Sequence, residues 1–198
     1  MGRVTRRQLT DLPGTLGLPL VIAVASILAF LALGLPALDR AVPAEHAVAA
    51  GRPYRVGAGV TVVPPAGATL DVTGTRPGDD RGTALFRLGA VRYAIEVEPF
   101  DGDLTAAAVR LRQRITGTSG HQVTGTQLTV STAGGLAGVQ GGYTAGDRDG
   151  RYAVFVAHGL TIEVMVSGDD ADLGRALAAI EASTSTLRYD TGPAEGRR

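Results

Sequence analysis

Leu18 to Leu38, LPLVIAVASILAFLALGLPAL, carries no charge and nothing more polar than Ser26. It closes a stretch of 27 consecutive uncharged residues that begins at Leu12. As a helix, the segment Leu18 to Leu38 would rise about 32 Å at about 1.5 Å per residue, which matches a hydrocarbon core of about 30 Å. Pro19 and Pro36 sit near its two ends, where a break is tolerated, and Leu20 to Leu35 contains no proline. No face of the segment is polar, which argues against an amphipathic helix of a soluble core. A cleaved secretory signal is the other rival, but its apolar region usually spans only about 7–15 residues and runs straight into a small-residue cleavage site. The nearest Ala-x-Ala here, Ala47-Val48-Ala49, lies well past the apolar end. The segment reads as an uncleaved transmembrane helix over 14–38, a signal-anchor in contact with the lipid bilayer through Leu18 to Leu38.

Arg3, Arg6 and Arg7 precede the run with only Asp11 opposing them, and short basic flanks tend to stay cytoplasmic. Residues 1–13 are therefore expected to be a short cytoplasmic N-terminus, with the C-terminal domain extracellular. Asp39 to Pro53, DRAVPAEHAVAAGRP, mixes Ala, Pro, Gly and scattered charge and reads as a stalk over 39–53. Thr191 to Arg198, TGPAEGRR, reads as a disordered tail. What remains, 54–190, is expected to be one extracytoplasmic α+β domain.

All nineteen basic residues of the chain are Arg; three of them, and one of the nineteen acidic residues, precede the run, leaving 16 against 18 in the body. A weakly acidic body without a basic cluster argues against nucleic acid as a partner. Cysteine is absent, which removes disulfides, thiol nucleophiles and thiolate metal sites together.

Within the domain, Val60-Thr61-Val62-Val63 stops at Pro64-Pro65 like a strand ended by residues that cannot donate to a ladder. In Val91 to Glu98, VRYAIEVE, Val91, Tyr93, Ile95 and Val97 alternate with Arg92, Ala94, Glu96 and Glu98, which predicts a strand with one wet face. Thr83 to Leu88, with Gly89-Ala90 as the turn, is its expected hairpin partner. Asp101-Gly102-Asp103 then opens a helix with the stripe Leu104, Ala108, Leu111 and Ile115, and with Arg110, Gln113 and Arg114 facing away. After a Gly/Ser/Thr loop, Gln127 to Ser131 and Leu136 to Tyr143 are weaker strand candidates. Arg151 to Ala157 and Thr161 to Val166 are stronger ones, joined tightly through His158-Gly159-Leu160. A last helix starts at Asp169-Asp170-Ala171-Asp172 with the stripe Leu173, Leu177 and Ile180, continued to Leu187. Strands, helix, strands, helix implies an antiparallel sheet with two packed helices rather than a βαβ repeat.

The polar residues offer no constellation that spacing alone makes catalytic or metal-binding. His46, His121 and His158 have no second ligand at metal spacing. Gly117-Thr118-Ser119-Gly120-His121 lacks the spacing of a nucleophile elbow. Asp147-Arg148-Asp149-Gly150 opens like a calcium loop but lacks its later ligands, so a hairpin turn explains it. Gly134-Gly135 and Gly141-Gly142 open no helix and read as bulges or turns. Glu96, Glu98, Asp101 and Asp103 form the densest acidic patch, read as a solvated strand face and a cap. Convergence of Glu96, His121 and Asp147 on one pocket would change that reading. No catalytic, cofactor-binding or metal residue and no cofactor is assigned.

This element order, together with Val60-Thr61-Val62-Val63-Pro64-Pro65-Ala66-Gly67, with Ile95-Glu96-Val97 running into Asp103-Leu104, and with the late hairpin before Ile180-Glu181-Ala182-Ser183, resembles PsbP-like domains. These are α/β sandwiches found in extrinsic photosystem subunits and in actinobacterial envelope lipoproteins. The likeness covers about Val56 to Tyr189. The chain has no Trp, whereas such domains often place one just after the proline-glycine turn, where Ala68 stands. There is no lipobox cysteine either, so the tether would be the helix and not a lipid. The resemblance implies a noncatalytic accessory or binding domain and transfers no functional residue. The expectation is a single-pass membrane protein, not an enzyme, whose outer domain binds an envelope protein partner. The alternative is a tethered carrier of a small ligand or lipid.

Overall fold

The computed structural model describes residues 45–190. The expected cytoplasmic N-terminus (1–13), transmembrane helix (14–38) and tail (191–198) lie outside the described residues. Among the described residues no helix is long and apolar enough to cross a membrane.

Among the described residues, eleven strands and two helices make up the fold: β1 Glu45–Ala47, β2 Tyr54–Gly57, β3 Val60–Val62, β4 Thr69–Asp71, β5 Gly82–Leu88, β6 Val91–Pro99, α1 Leu104–Gly117, β7 His121–Ser131, β8 Ala137–Ala145, β9 Arg148–Ala157, β10 Leu160–Gly168, α2 Asp170–Ser185 and β11 Arg188–Tyr189. Eight strands form one antiparallel sheet in the order β1-β4-β5-β6-β10-β9-β8-β7. A second sheet, β11-β3-β2, is separate. The expected α+β fold, an antiparallel sheet with two packed helices, is present, and the second, smaller sheet completes a sandwich. Val60–Val62 does form a strand ended by proline, but it pairs with β2 and β11, since those prolines leave nothing to extend it into the large sheet.

One face of the large sheet is dry. Val91, Tyr93, Ile95 and Val97 of β6 are each fully buried there, as the alternation predicts, beside Phe86, Phe155, Ile162 and Val164. The small sheet contributes Val56, Val60 and Val62 to this core, and α2 contributes Leu173, Ala176 and Ile180. Removing this much branched apolar surface from water is what holds the layers together. Where β2 meets β5 the backbones nearly touch: a Cβ on Gly57 would fall 2.5 Å from the Arg81 carbonyl oxygen, and one on Gly82 would fall 2.1 Å from that of Val56. Only glycine permits that approach.

The other face is not wet, contrary to the expectation from β6. Helix α1 lies on it, with Ala107, Ala108, Leu111 and Ile115 packed on Tyr143, Tyr152 and Val154. Asp103 caps α1 as predicted, accepting from the Ala106 amide at 2.7 Å. Arg110 and Arg114, expected to face away, instead reach down to the acidic residues of the sheet.

Three boundaries also differ from expectation. The stretch 39–53 was expected to be a stalk, yet Glu45–Ala47 pairs with β4 and Val48 packs on the core, because Thr69–Asp71 leaves an open edge to receive it. The strand expected from Gln127 begins earlier, at His121, and bulges at Gly125, whose φ is +70°. Gly141-Gly142, read as a bulge or turn, pairs in register with β9, and the bulge lies opposite it in β7.

Candidate functional site

Those glycines explain how β8 and β9 pair. Gly138 stands opposite Phe155, Gly141 opposite Tyr152, and Gly150 opposite Tyr143. In each pair the ring lies across the glycine: a Cβ on Gly138, Gly141 or Gly150 would meet it at 2.3, 2.5 and 2.3 Å. A glycine leaves strand backbone uncovered, and an aromatic neighbour restores the cover. Because Tyr143 and Tyr152 fold flat over glycine on the α1 side, the helix can come close. Burial pushes both phenols up from their ordinary pKa, and Tyr143 donates to the Val166 carbonyl at 3.1 Å.

Beneath α1 the sheet carries a charge cluster centred on Glu163, which is 2% exposed. Arg110 Nη2 donates to Glu163 Oε1 at 2.9 Å, lies 3.7 Å from Glu98 Oε2, and stacks its guanidinium 4.6 Å from the centre of the Phe100 ring. Arg114 Nη1 is 2.8 Å from Glu163 Oε2 and donates to Glu96 Oε2 at 3.2 Å. The contact with Glu163 Oε2 is an ion pair without an aligned N–H, so that oxygen has charge compensation but no hydrogen bond. Glu96 stands directly opposite Glu163 across the ladder. Burial first, and then the neighbouring Glu98 carboxylate, raise the pKa of Glu96, with Arg114 acting against them. Glu96 and Glu98 of the acidic patch seen in the sequence therefore belong to a structural ion network, while Asp103 caps α1. Arg110 Nε and Thr161 Oγ1 are buried there without hydrogen-bond partners.

On the opposite face of the same strands the cover runs out. The small sheet and α2 shield the centre of the large sheet, and between α2 and β7-β8-β9 a cleft of about 590 Å³ remains. Its floor is built from the register. Thr124, Gly142 and Arg151 form one cross-strand row; Leu128, Gln140 and Ala153 form the next. Val130 and Phe155 line a third, and Leu177, Ile180, Glu181 and Thr184 of α2 make the wall. Leu128 remains 56% exposed at the mouth. The volume falls within the range of about 300–1,000 Å³ typical of sites for small organic ligands.

The chain is similar in fold to a solved structure, the solution structure of cyanobacterial PsbP (CyanoP) from Synechocystis sp. PCC 6803, at a TM-score of 0.50 and 13% identity over 73% of this chain and 98% of that one. The domain has a PsbP-like fold. Two further structures overlap more loosely and add nothing to that assignment. One is PA94 of Pseudomonas aeruginosa, a protein of unknown function, at TM-score 0.47 and 18% identity over 68% of this chain and 98% of that one. The other is LpqN of Mycobacterium tuberculosis, involved in cell envelope biogenesis, at 0.47 and 13% over 69% and 90%. No protein-family model matches the chain, and no curated protein matches it.

The PsbP-like framework keeps apart the residues whose convergence would have marked an enzyme. Glu96 lies on β6, with β10, β9 and β8 between it and His121 on β7. His121 stacks on Tyr143 at 6.2 Å, and Asp147 sits in the β8–β9 turn. None of the three lines the cleft. His158 and Gly159 form the two-residue β9–β10 turn, both at positive φ, and His158 stacks on Tyr189 at 4.2 Å. His46 lies in β1 opposite Leu70. Among the described residues no group of three His, Asp or Glu could hold a metal ion. Sequence reasoning did not find the cleft, because its floor is defined by which rows of β7, β8 and β9 lack a covering helix.

Proposed function

We propose that this is a noncatalytic accessory domain of the cell envelope that binds an amphipathic small molecule in the cleft between α2 and β7-β8-β9, tethered to the membrane by Leu18 to Leu38. The cleft carries the reading: it is large enough for an organic ligand, its middle is mainly apolar with Gln140 on the floor, and its ends are polar. Support for the tether comes from the sequence, where the apolar run is long enough to span and has no polar face. The noncatalytic reading is supported by the use the acidic residues are put to, namely pairing with Arg110 and Arg114.

Native mass spectrometry of the full chain released from its own membrane tests the binding. A co-released small molecule is expected, and it should be lost in Gln140→Trp, which fills the cleft from a partly exposed floor position. A chain that leaves the membrane unaccompanied and is stabilised by no amphiphile would overturn the reading. If the chain washes off vesicles in carbonate, the tether is wrong.

Docking onto an envelope protein is a second reading, favoured by Leu128, a large apolar side chain left 56% exposed. A photoreactive residue at position 128 separates the two in intact cells. A crosslink to one envelope protein favours docking, and a small adduct favours the ligand.

A further inference from the structure

The cleft is not symmetric in charge. Gly142 has no side chain, and in the space above it two donors meet: a Cβ placed there would lie 2.8 Å from Thr124 Oγ1 and 3.0 Å from Arg151 Nη1. Thr124 and Arg151 are the residues directly opposite Gly142 on its two neighbouring strands, so the ladder itself fixes their meeting point. Arg151 makes no ion pair among the described residues, although Arg110, Arg114 and Arg148 all do.

Glu181, the one acid on the cleft wall, belongs to the other end. Helix α2 starts just after Gly168, which pairs with Asp149, two residues from Arg151. It finishes where the Ser185 carbonyl accepts the Ala133 amide at 2.7 Å, beyond the far end of β7. Glu181 is therefore near the Thr184–Ser185 end. Between the two ends the lining is mainly apolar, Leu128, Val130, Phe155, Leu177 and Ile180, with Gln140 of the middle row as a polar exception.

Resting on the ligand-binding reading above, we infer that the cleft takes a single-chain lipid with an anionic carboxylate head, the head held above Gly142 by Arg151 and Thr124 and the alkyl chain laid along Leu128, Val130 and Phe155. The chemistry follows from the donors. A guanidinium offers two parallel N–H groups to a carboxylate, and the Thr hydroxyl adds a third donor from the opposite strand. A cationic head would be repelled from this end, and an alcohol would leave the guanidinium unneutralised. The apolar rows supply burial that is indifferent to the head.

The test uses the full chain held in an amphipathic polymer and a photoreactive laurate. Labelling is expected on peptides containing Leu128 to Val130 or Phe155, with competition by laurate but not by dodecanol or dodecyltrimethylammonium. Arg151→Gln should weaken laurate by about tenfold, the loss of one charge-assisted contact, and Arg151→Lys should recover part of it. Arg151 is exposed, so neither change should move the melting temperature. Equal competition by laurate and dodecanol, with Arg151→Gln indistinguishable from the parent, would overturn the head-group assignment while leaving the cleft as a binding site. Label spread away from the cleft, or no saturable label, overturns both.

Discussion

Strands β7, β8 and β9 have two faces, and the same ladder builds both so differently that the pair acts as an internal control. On one face α1 closes the sheet, tyrosine rings lie over Gly141 and Gly150, and Glu163 of the adjoining β10 is pinned between two arginines. On the other face α2 covers only part of the sheet, the space above Gly142 is bordered by Thr124 Oγ1 and Arg151 Nη1, and Leu128 looks out to solvent. Alternation gives successive residues of one strand to opposite faces. What happens at one position therefore says little about its neighbour. On the α1 side the sheet is covered along these strands, whereas on the α2 side the cover stops short and leaves the cleft.

The contrast breaks most sharply if the ion network can be taken out without harm. Arg110→Met with Arg114→Met leaves Glu163 charged, buried and unpaired, and should cost about 3–5 kcal/mol in urea unfolding. Adding Glu163→Met should restore most of that loss, since packed apolar groups can replace a buried ion pair. A double variant as stable as the parent would show that the α1 face is not held by charge compensation.

Adjacent glycines sharpen the comparison next. Gly141→Ala drives a methyl group into the buried Tyr152 ring and should cost about 1–3 kcal/mol. One residue on, Gly142→Ala meets a hydroxyl and the tip of an arginine, which can move aside, and the Thr124 carbonyl oxygen at 3.3 Å, which needs to give by only a few tenths of an ångström. It should be neutral or gain about 0.5 kcal/mol from the removal of a strand glycine. Thermal melts of the two single variants side by side decide the matter, and equal losses would erase the distinction between the faces.

The smallest effect concerns protons. The raised pKa of Glu96 means that the folded state holds this proton more tightly than the unfolded chain does. Its contribution is fully present below the ordinary carboxylate pKa and is lost as pH rises through the raised value. Between those points the parent should gain stability on acidification relative to Glu96→Gln, with the curves parallel elsewhere. The side chain is 41% exposed and its pair with Arg114 is open to solvent, so the difference is small and screened by salt. A parent-minus-variant difference that grows with rising pH through this window would contradict the assignment.

Much of the framework is legible before any coordinates. The β5–β6 hairpin, its Gly89-Ala90 turn, both helix starts and the β9–β10 hairpin follow from period, capping and turn residues. What period cannot say is what lies on top. The polar face of β6 looks wet in the sequence, because Glu96 and Glu98 alternate cleanly with apolar residues. Only the position of α1 supplies the arginines that neutralise them. Likewise, Glu45–Ala47 has no apolar pattern of its own and becomes a strand because β4 needs a partner. The cleft was illegible for the same reason, being a place where cover is missing.

One local irregularity has reach beyond the fold. Between its pairs Thr124–Gly142 and Leu128–Gln140, β7 advances four residues while β8 advances two, and Gly125 turns to φ +70° in between. A long strand at the margin of an eight-stranded sheet would otherwise offer its free amides and carbonyls to any similar chain, the usual beginning of fibre growth. The kink interrupts that template half-way along. Molecules crowded side by side on a surface are thereby discouraged from knitting into one continuous ribbon.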